Sequence, residues 1–375
     1  MAERLKYSSL FGELTRQTQL RFDAVSRQHK LLFDNVFYER FFSWDYPTIG
    51  LNFEEIKGKY NVTIAAATID DKSKEPVLGT HGLETIAQKV LHHAITLPLT
   101  IDDYRKILEI LDSKSIPEEV AKRQLIDLMW GNVRTPVQGV QAKLDIIAMG
   151  ALSNEGIATL DETNNPEGGV KTTIDYNMPA ENKGKVTLKW NDENIANVDV
   201  FEDIQTIVDA FSDKVVFDRI LLAPSKISYI LRSKKMKQVI FGTDKQNSPL
   251  LLNNLNEFMR SNELPVLEPV RRQCLIQNNG TFTPYNPWNA KNLVFIPSGS
   301  LGTIKNAYVN NELRPEPGVT YSNYGRIRVA QWGVGETQNS NGVEFVKAET
   351  FALPVITEIN GIASSVSYTH LTLPT

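Results

Sequence analysis

The sequence predicts a mixed α+β protein, on three observations. A single helical periodicity runs for about 35 residues in the first half of the chain. Strand-like runs cluster towards both ends. The section between them mixes short apolar strands with amphipathic helices. At 375 residues the chain can build two packed domains, or one large domain with extensions.

Composition narrows the class further. Hydrophobic residues make up 41% and charged residues 22% of the chain, values of a globular protein and not of a disordered one. The formal net charge of -4 sets up no global basic field of the kind that binds nucleic acid. One cysteine, Cys274, rules out an intramolecular disulfide and fits a reducing compartment. Residues Met1 to Arg4 lead into a polar stretch rather than the apolar core of a signal peptide. No window approaches the ~20 apolar residues of a membrane span. A soluble intracellular protein is expected, with no membrane partner.

The first 46 residues carry ten aromatics among many charges. The spacing Phe11, Leu14, Thr18, Phe22, Val25 suits an amphipathic helix, which needs a surface for its apolar face. That surface is either the chain's own domain or a neighbouring subunit. From Tyr60 to Ile69 apolar and polar residues alternate as in a strand, and the 70–74 and 79–82 segments interrupt it as loops. A second extended stretch, Glu84 to Leu99, is closed by Pro98. Residues 60–99 therefore read as strands bearing a long polar excursion that has little to bury by itself.

Ser115-Ile116-Pro117-Glu118 has the form of a capping box, with Pro117 near the first helical position. Apolar or small residues then recur at 121, 125, 129, 133, 137, 140, 144, 147 and 151. Lys122, Arg123, Asp127, Arg134, Gln141 and Asp145 fall mostly on other faces. Pro136 should kink this helix, flanked by Gly131 and Gly139, and Gly150 and Gly156 mark its end.

The 164–169 segment is a turn, and short strands run from it to Trp190. A helix is predicted from Asp199 to Asp213, with Ile204, Ile207, Val208 and Phe211 on one face. Phe217 to Ala223 reads as a short buried strand. Pro224-Ser225 then opens a helix to about Ile240, with Ser225 as its N-cap. Ser248-Pro249 opens another to about residue 262. Strand-like runs follow at Leu264–Leu267, Leu293–Ile296, Arg326–Gln331 and Gly342–Ile356. No repeat of 20–50 residues is present.

Candidates for catalytic chemistry are few. The only paired histidines, His92-His93, would point to opposite faces of a strand and so could not easily share a metal. Cys274 follows Arg271 and Arg272, yet a lone cysteine is most often a small core residue. Gly299-Ser300-Leu301-Gly302 follows a strand, where a phosphate loop would lie, but lacks the Gly-Lys-Ser/Thr ending. No H-E-x-x-H, G-x-S-x-G or paired C-x-x-C occurs. No catalytic residue, metal site or cofactor is expected. Arg232, Lys234, Lys235 and Lys237 form the one notable charge cluster. It is either a solvated face near a helix C-terminus or a contact for nucleic-acid phosphates.

The element order, together with several short segments, resembles the major capsid proteins of lambda-like tailed phages, the phage major capsid protein E family. The segments are Phe37, Phe41 and Phe42 with Tyr46-Pro47, Glu75 to Gly79, Met149-Gly150-Ala151-Leu152, and Ile174-Asp175-Tyr176 with Lys189-Trp190-Asn191-Asp192. Phe217 to Leu231, Pro297 to Gly302, Val343 to Val346 and Ala352 to Val355 complete them.

The resemblance implies a Hong Kong 97-type capsid fold. Its parts would be an N-terminal arm (1–45) and a peripheral domain (46–190) with an extended loop at about 60–99 and a long spine helix at about 115–151. A central α/β axial domain (191–334) and strands returning to the peripheral domain (335–366) would follow. Residues 367–375 resemble a non-native tail. The implied function is a self-assembling subunit of an icosahedral bacteriophage shell, built from hexamers and pentamers around DNA. The implied partners are itself, scaffold and portal proteins, and packaged DNA bound non-specifically; the charge cluster Arg232, Lys234, Lys235 and Lys237 is the candidate face for that DNA. The implied location is the virion, assembled in the host cytoplasm. Two alternatives stand beside it: an encapsulin-like cargo shell, and an α/β enzyme holding a phosphate at the 299–302 turn.

Overall fold

A computed structural model of the chain describes residues 36–56, 85–99, 109, 118–166, 169–185, 190, 194, 198–243, 248–334 and 343–366. The readings made for residues 1–35, the 60–69 extension, the Ser115 capping box and the 367–375 tail lie outside these residues.

The chain runs through β1 (Phe42–Trp44), β2 (Asn52–Ile56), β3 (Thr85–Lys89) and β4 (Leu91–Leu99) into the long helix α1 (Glu118–Ser153). Next come β5 (Ile157–Leu160), β6 (Thr172–Asp175), β7 (Lys183–Lys185), α2 (Val200–Ala210), β8 (Phe217–Leu222) and α3 (Pro224–Arg232). Then follow α4 (Lys234–Phe241), α5 (Leu252–Ser261), β9 (Val266–Pro269), β10 (Cys274–Asn278), β11 (Thr281–Tyr285) and β12 (Asn292–Pro297). The chain ends with β13 (Gly302–Ala307), the short α6 (Asn310–Leu313), β14 (Thr320–Tyr324), β15 (Ile327–Val334), β16 (Val343–Ile356) and β17 (Ala363–Val366).

Two sheets organise these elements. A six-stranded sheet has the order β1-β13-β16-β15-β14, with β4 also paired to β16. A five-stranded sheet has the order β7-β17-β12-β8-β9. Sheet membership cuts across the chain, because strands from 302–334 lie beside strands from 42–44 and 343–356, and the 91–99 strand lies beside the last of these. The β2–β3 ladder, from Asn52↔Lys89 to Ile56↔Thr85, brackets residues 57–84.

The five-stranded sheet separates two cores, and period-2 alternation assigns its side chains between them. Leu221, Val294 and Ile296 face a core shared with α1 and β16. Ile220, Leu222, Leu293 and Phe295 face a second core built with α2, α3, α4 and α5. Both faces of β8 and β12 are therefore covered at Ile220–Leu222 and Leu293–Ile296, which is why those stretches read as continuous apolar runs.

Within α1, Val137, Val140, Leu144, Ile147 and Ala151 are all buried, as the predicted stripe requires. Burying each of the larger ones is worth about 1.5–3 kcal/mol. The helix carries Pro136 inside it and runs on to Ser153. Gly139 lies against β4, where an added Cβ would sit 3.3 Å from the Ile95 side chain. Gly150 lies within the helix, and the stop comes at Glu155 and Gly156, with φ of 56° and 85°. That left-handed backbone is one that glycine adopts without strain.

Several local expectations are corrected. Gln141 and Asp145 do not face outward; both are 1% exposed, because the 36–42 segment and Arg272 cover that flank. Pro98 does not end the strand: β4 pairs through it with Phe345. The position is tolerated because, among the described residues, β4 is an edge strand paired only to β16. The helix expected from 225 to 240 is two helices, broken at Ser233, whose ψ of 123° leaves the helical region. Ser225 lies inside α3, with Ala223 at the cap position and Pro224 in the first turn. The helix expected from Ser248-Pro249 starts only at Leu252.

Candidate assembly and nucleic-acid surfaces

The Ser233 break sets the geometry of the basic cluster. The Ser233 side chain accepts the Met236 N–H at 3.3 Å, so it caps α4 while its own backbone closes α3. Arg232 is therefore the exposed last residue of α3, and its Nε donates to the Ser228 carbonyl at 3.3 Å. Lys234 and Lys235 open α4 and Lys237 lies at its middle, not near a C-terminus as the one-helix reading placed them. At Lys234 and Lys235 the helix macrodipole is positive and disfavours cations. Met236, 2% exposed, anchors this turn in the second core and leaves Lys234 exposed, with Lys235 and Lys237 half-buried.

The 299–302 turn is occupied by the chain itself. The Leu301 N–H donates to the Phe41 carbonyl at 2.7 Å, and Ser300 Oγ lies 3.1 Å from that same carbonyl. At Gly302 an added Cβ would meet the Val355 carbonyl at 1.9 Å, so only glycine lets these strands approach. The turn fastens the 36–42 segment to the six-stranded sheet, and these donors are not aimed at a ligand.

That segment is a packed root. Val36, Phe37, Tyr38, Phe41 and Phe42 are all buried. The Phe37 ring lies 5.1 Å from Phe41 and 6.1 Å from Trp288, in tilted and edge-on contacts. The Tyr38 N–H donates to Asp145 Oδ1 at 2.9 Å, and Arg272 Nε donates to Asp145 Oδ2 at 2.7 Å. Lys305 bonds Asp45 at 2.6 Å and also pairs with Glu55, joining β13 to β2 and to the chain after β1. A recess of about 250 Å³ opens beside the root, between Tyr38, Glu39, Trp44 and the β14–β15 turn.

The remaining sequence candidates are also placed. His92 and His93 point to opposite faces, as strand geometry demands. His92 bonds Glu349 at 2.9 Å and stacks on Phe351 at 4.4 Å. His93 is buried on the Ala352 carbonyl at 3.1 Å, and burial lowers its pKa to about 3. Cys274 is half-buried; burial raises its thiol pKa, despite the opposing charges of Arg272 and Lys143. It has no activated-thiol character. Among the large apolar side chains that stand in water are Tyr46 and Ile49 after β1, and Leu275 and Phe282 on the β10–β11 hairpin.

Sequence reasoning missed the Asp145–Arg272 pair. The one available signal was that residue 145 follows Gln141 by four along the flank of an apolar stripe, where a polar residue reads as solvent-facing. The partners that bury it are 107 and 127 residues away.

The family model for phage major capsid protein E matches residues 50–366 of the chain. No curated protein matches the sequence. Among solved structures, the provisionally assigned capsid protein of an E. coli CFT073 prophage superposes with a TM-score of 0.59 at 13% identity. That match covers 93% of this chain and 98% of the other, and it shows the shared fold. A phage-related protein from Bordetella bronchiseptica RB50 gives a TM-score of 0.49 at 11% identity, covering 92% and 96%. The capsid of Myoviridae phage XM1 gives 0.44 at 9% identity, covering 89% and 92%.

Proposed function

Because this chain belongs to the phage major capsid protein E family, a family of structural capsid proteins and not of enzymes, we propose that it builds an icosahedral shell of hexamers and pentamers around DNA. The match over residues 50–366 carries this reading, since it includes the second core, the five-stranded sheet and all of the first core and six-stranded sheet except the 36–44 segment. The same match favours a virion component over a cargo shell or a phosphate-binding enzyme. Assembly takes place in the host cytoplasm, with scaffold and portal proteins as further partners.

The working division of the chain follows the capsid plan. Residues 1–45 form the arm, 46–190 the peripheral domain with the extended loop and spine helix, 191–334 the axial domain, and 335–366 the returning strands. Support comes from the packed root at 36–42, from the β2–β3 ladder bracketing 57–84, and from the length of α1. Tyr46, Ile49, Leu275 and Phe282 supply apolar surface for heterologous contacts between neighbouring copies, the kind that close into rings.

Arg232, Lys234, Lys235 and Lys237 face the packaged DNA. Lys234 and Lys235 open α4, where its dipole opposes a positive charge, so local helix stability does not account for these two. Contacts of this kind are sequence-independent and weaken with salt. Negative-stain microscopy of the purified full chain should show closed particles or capsomer rings. A strict monomer by light scattering at every salt concentration overturns the reading. Replacing Lys234, Lys235 and Lys237 with Gln should lower DNA retention and leave empty shells intact; unchanged DNA content removes the DNA-facing assignment.

A further inference from the structure

We propose that the Asp145–Arg272 pair is a proton-operated latch, which on acidification frees the β10–β11 hairpin from the long helix while keeping the 36–42 root attached. The two carboxylate oxygens have separate tasks. Oδ1 takes the Tyr38 N–H at 2.9 Å and so holds the root. Oδ2 takes Arg272 Nε at 2.7 Å and so holds the link between β9 and β10. A neutral carboxyl still accepts an amide hydrogen through its carbonyl oxygen. It no longer attracts a guanidinium as a charged partner. One proton therefore breaks the second tie and spares the first.

Burial decides which partner yields. The Arg272 side chain is 24% exposed and can regain water when released, whereas the Asp145 side chain, at 1%, cannot. The groups around the carboxyl come from every packed element. Gln141 is on its own helix, one turn before it, and Lys143 on that helix acts on the thiol of Cys274 in β10. Tyr38 and Glu39 come from the root, and Arg272 from the β9–β10 link. The Tyr38 hydroxyl, whose pKa burial raises well above 10, stays neutral, as does the Cys274 thiol, also raised by burial. Burial raises the Asp145 pKa to about 6, outweighing Arg272 and the Tyr38 and Phe37 amides that lower it.

The linkage sign separates this latch from acid denaturation. The folded-state pKa lies above the unfolded value of 3.8, so the folded chain binds the extra proton between roughly pH 4 and 6. This site therefore stabilises the fold as pH falls through 6, while the Arg272 tie is lost. The event is a local opening. The hairpin is suited to move: Cys274, Ile276 and Tyr285 pack inward, whereas Leu275 and Phe282 on its other face are 64% and 63% exposed.

Hydrogen exchange on the full chain between pH 5 and pH 8, corrected for intrinsic rates, tests the latch. Protection over 274–285 should fall roughly tenfold as pH drops through 6, the worth of one charge-assisted hydrogen bond. Protection of the 37–41 amides should hold. Asp145→Asn keeps an acceptor for Tyr38 and should fix the hairpin at its low-protection level at every pH. Arg272→Ala, which leaves the helix sequence untouched, should do the same. A flat wild-type profile overturns the proposal, as does a step that persists in either variant. The readout lies within one chain, so either result leaves the shell-forming reading to its own test.

Discussion

Glu349 is a carboxylate held by three donors on the six-stranded sheet. Lys347 Nζ lies 2.6 Å away, His92 Nε2 2.9 Å and Asn311 Nδ2 2.7 Å. Burial pushes its pKa up, but the bonds from His92 and Lys347 more than reverse this, and the pKa falls below 4.5. A depressed folded-state pKa means stability that is present above the unfolded value and lost as pH falls through the folded one. Glu349→Gln should therefore lower stability at neutral pH by about 1–3 kcal/mol. It should also flatten the loss of stability below pH 4.5, read by denaturant titration across pH. The opposed directions of His92 and His93 were legible, because strand geometry alone sets them. The Glu349 cluster was not legible. His92 reaches it from 257 residues away and Asn311 from 38, and no local pattern encodes either meeting.

Among the elements, the α3–α4 pair shows what periodicity omits. Ile227, Ile230 and Met236 are all buried, and that spacing suits one helix or two. The choice rests on Ser233, whose side chain offers the Met236 amide a partner outside helical geometry. Ser233→Ala should cost about 1 kcal/mol, the usual worth of an N-cap, and should raise amide exchange in the first turn of α4. No change in either sinks the capping account. The β10–β11 hairpin was legible and unread. Its turn is Asn279-Gly280, with φ of 49° and 77°, and two-residue hairpin turns favour that pair because both positions need positive φ.

For the whole molecule, the last described strand sets where the chain can be shortened. β17 pairs with β12 on one side and β7 on the other, so Ala363–Val366 is interior to its sheet. Truncation after Val366 should leave thermal stability and assembly unchanged, since residues 367–375 lie beyond every strand pairing described. Truncation after Ile362 should prevent folding, because it exposes the edges of β12 and β7 and removes Ala363 from the second core. A loss of more than a few degrees in the first variant would show that the terminal residues pack.

By itself the sequence determined the parts whose causes are local. The α1 stripe from Val137 to Ala151 is a 3.6-residue period on one helix, and Ile220–Leu222 of β8 and Leu293–Ile296 of β12 are apolar runs covered on both faces. The capsid family, too, was readable from the order of elements and scattered segments. The tertiary structure alone decided what depends on meetings between distant residues. It buried Asp145 between Tyr38 and Arg272, set Gly302 against the Val355 carbonyl, and gathered strands from 42–44, 91–99, 302–334 and 343–356 into one sheet. Hydrophobic periodicity tells a residue which way to face along its own element. It carries no record of which distant element will cover that face, and burial, charge state and sheet order follow from that second choice.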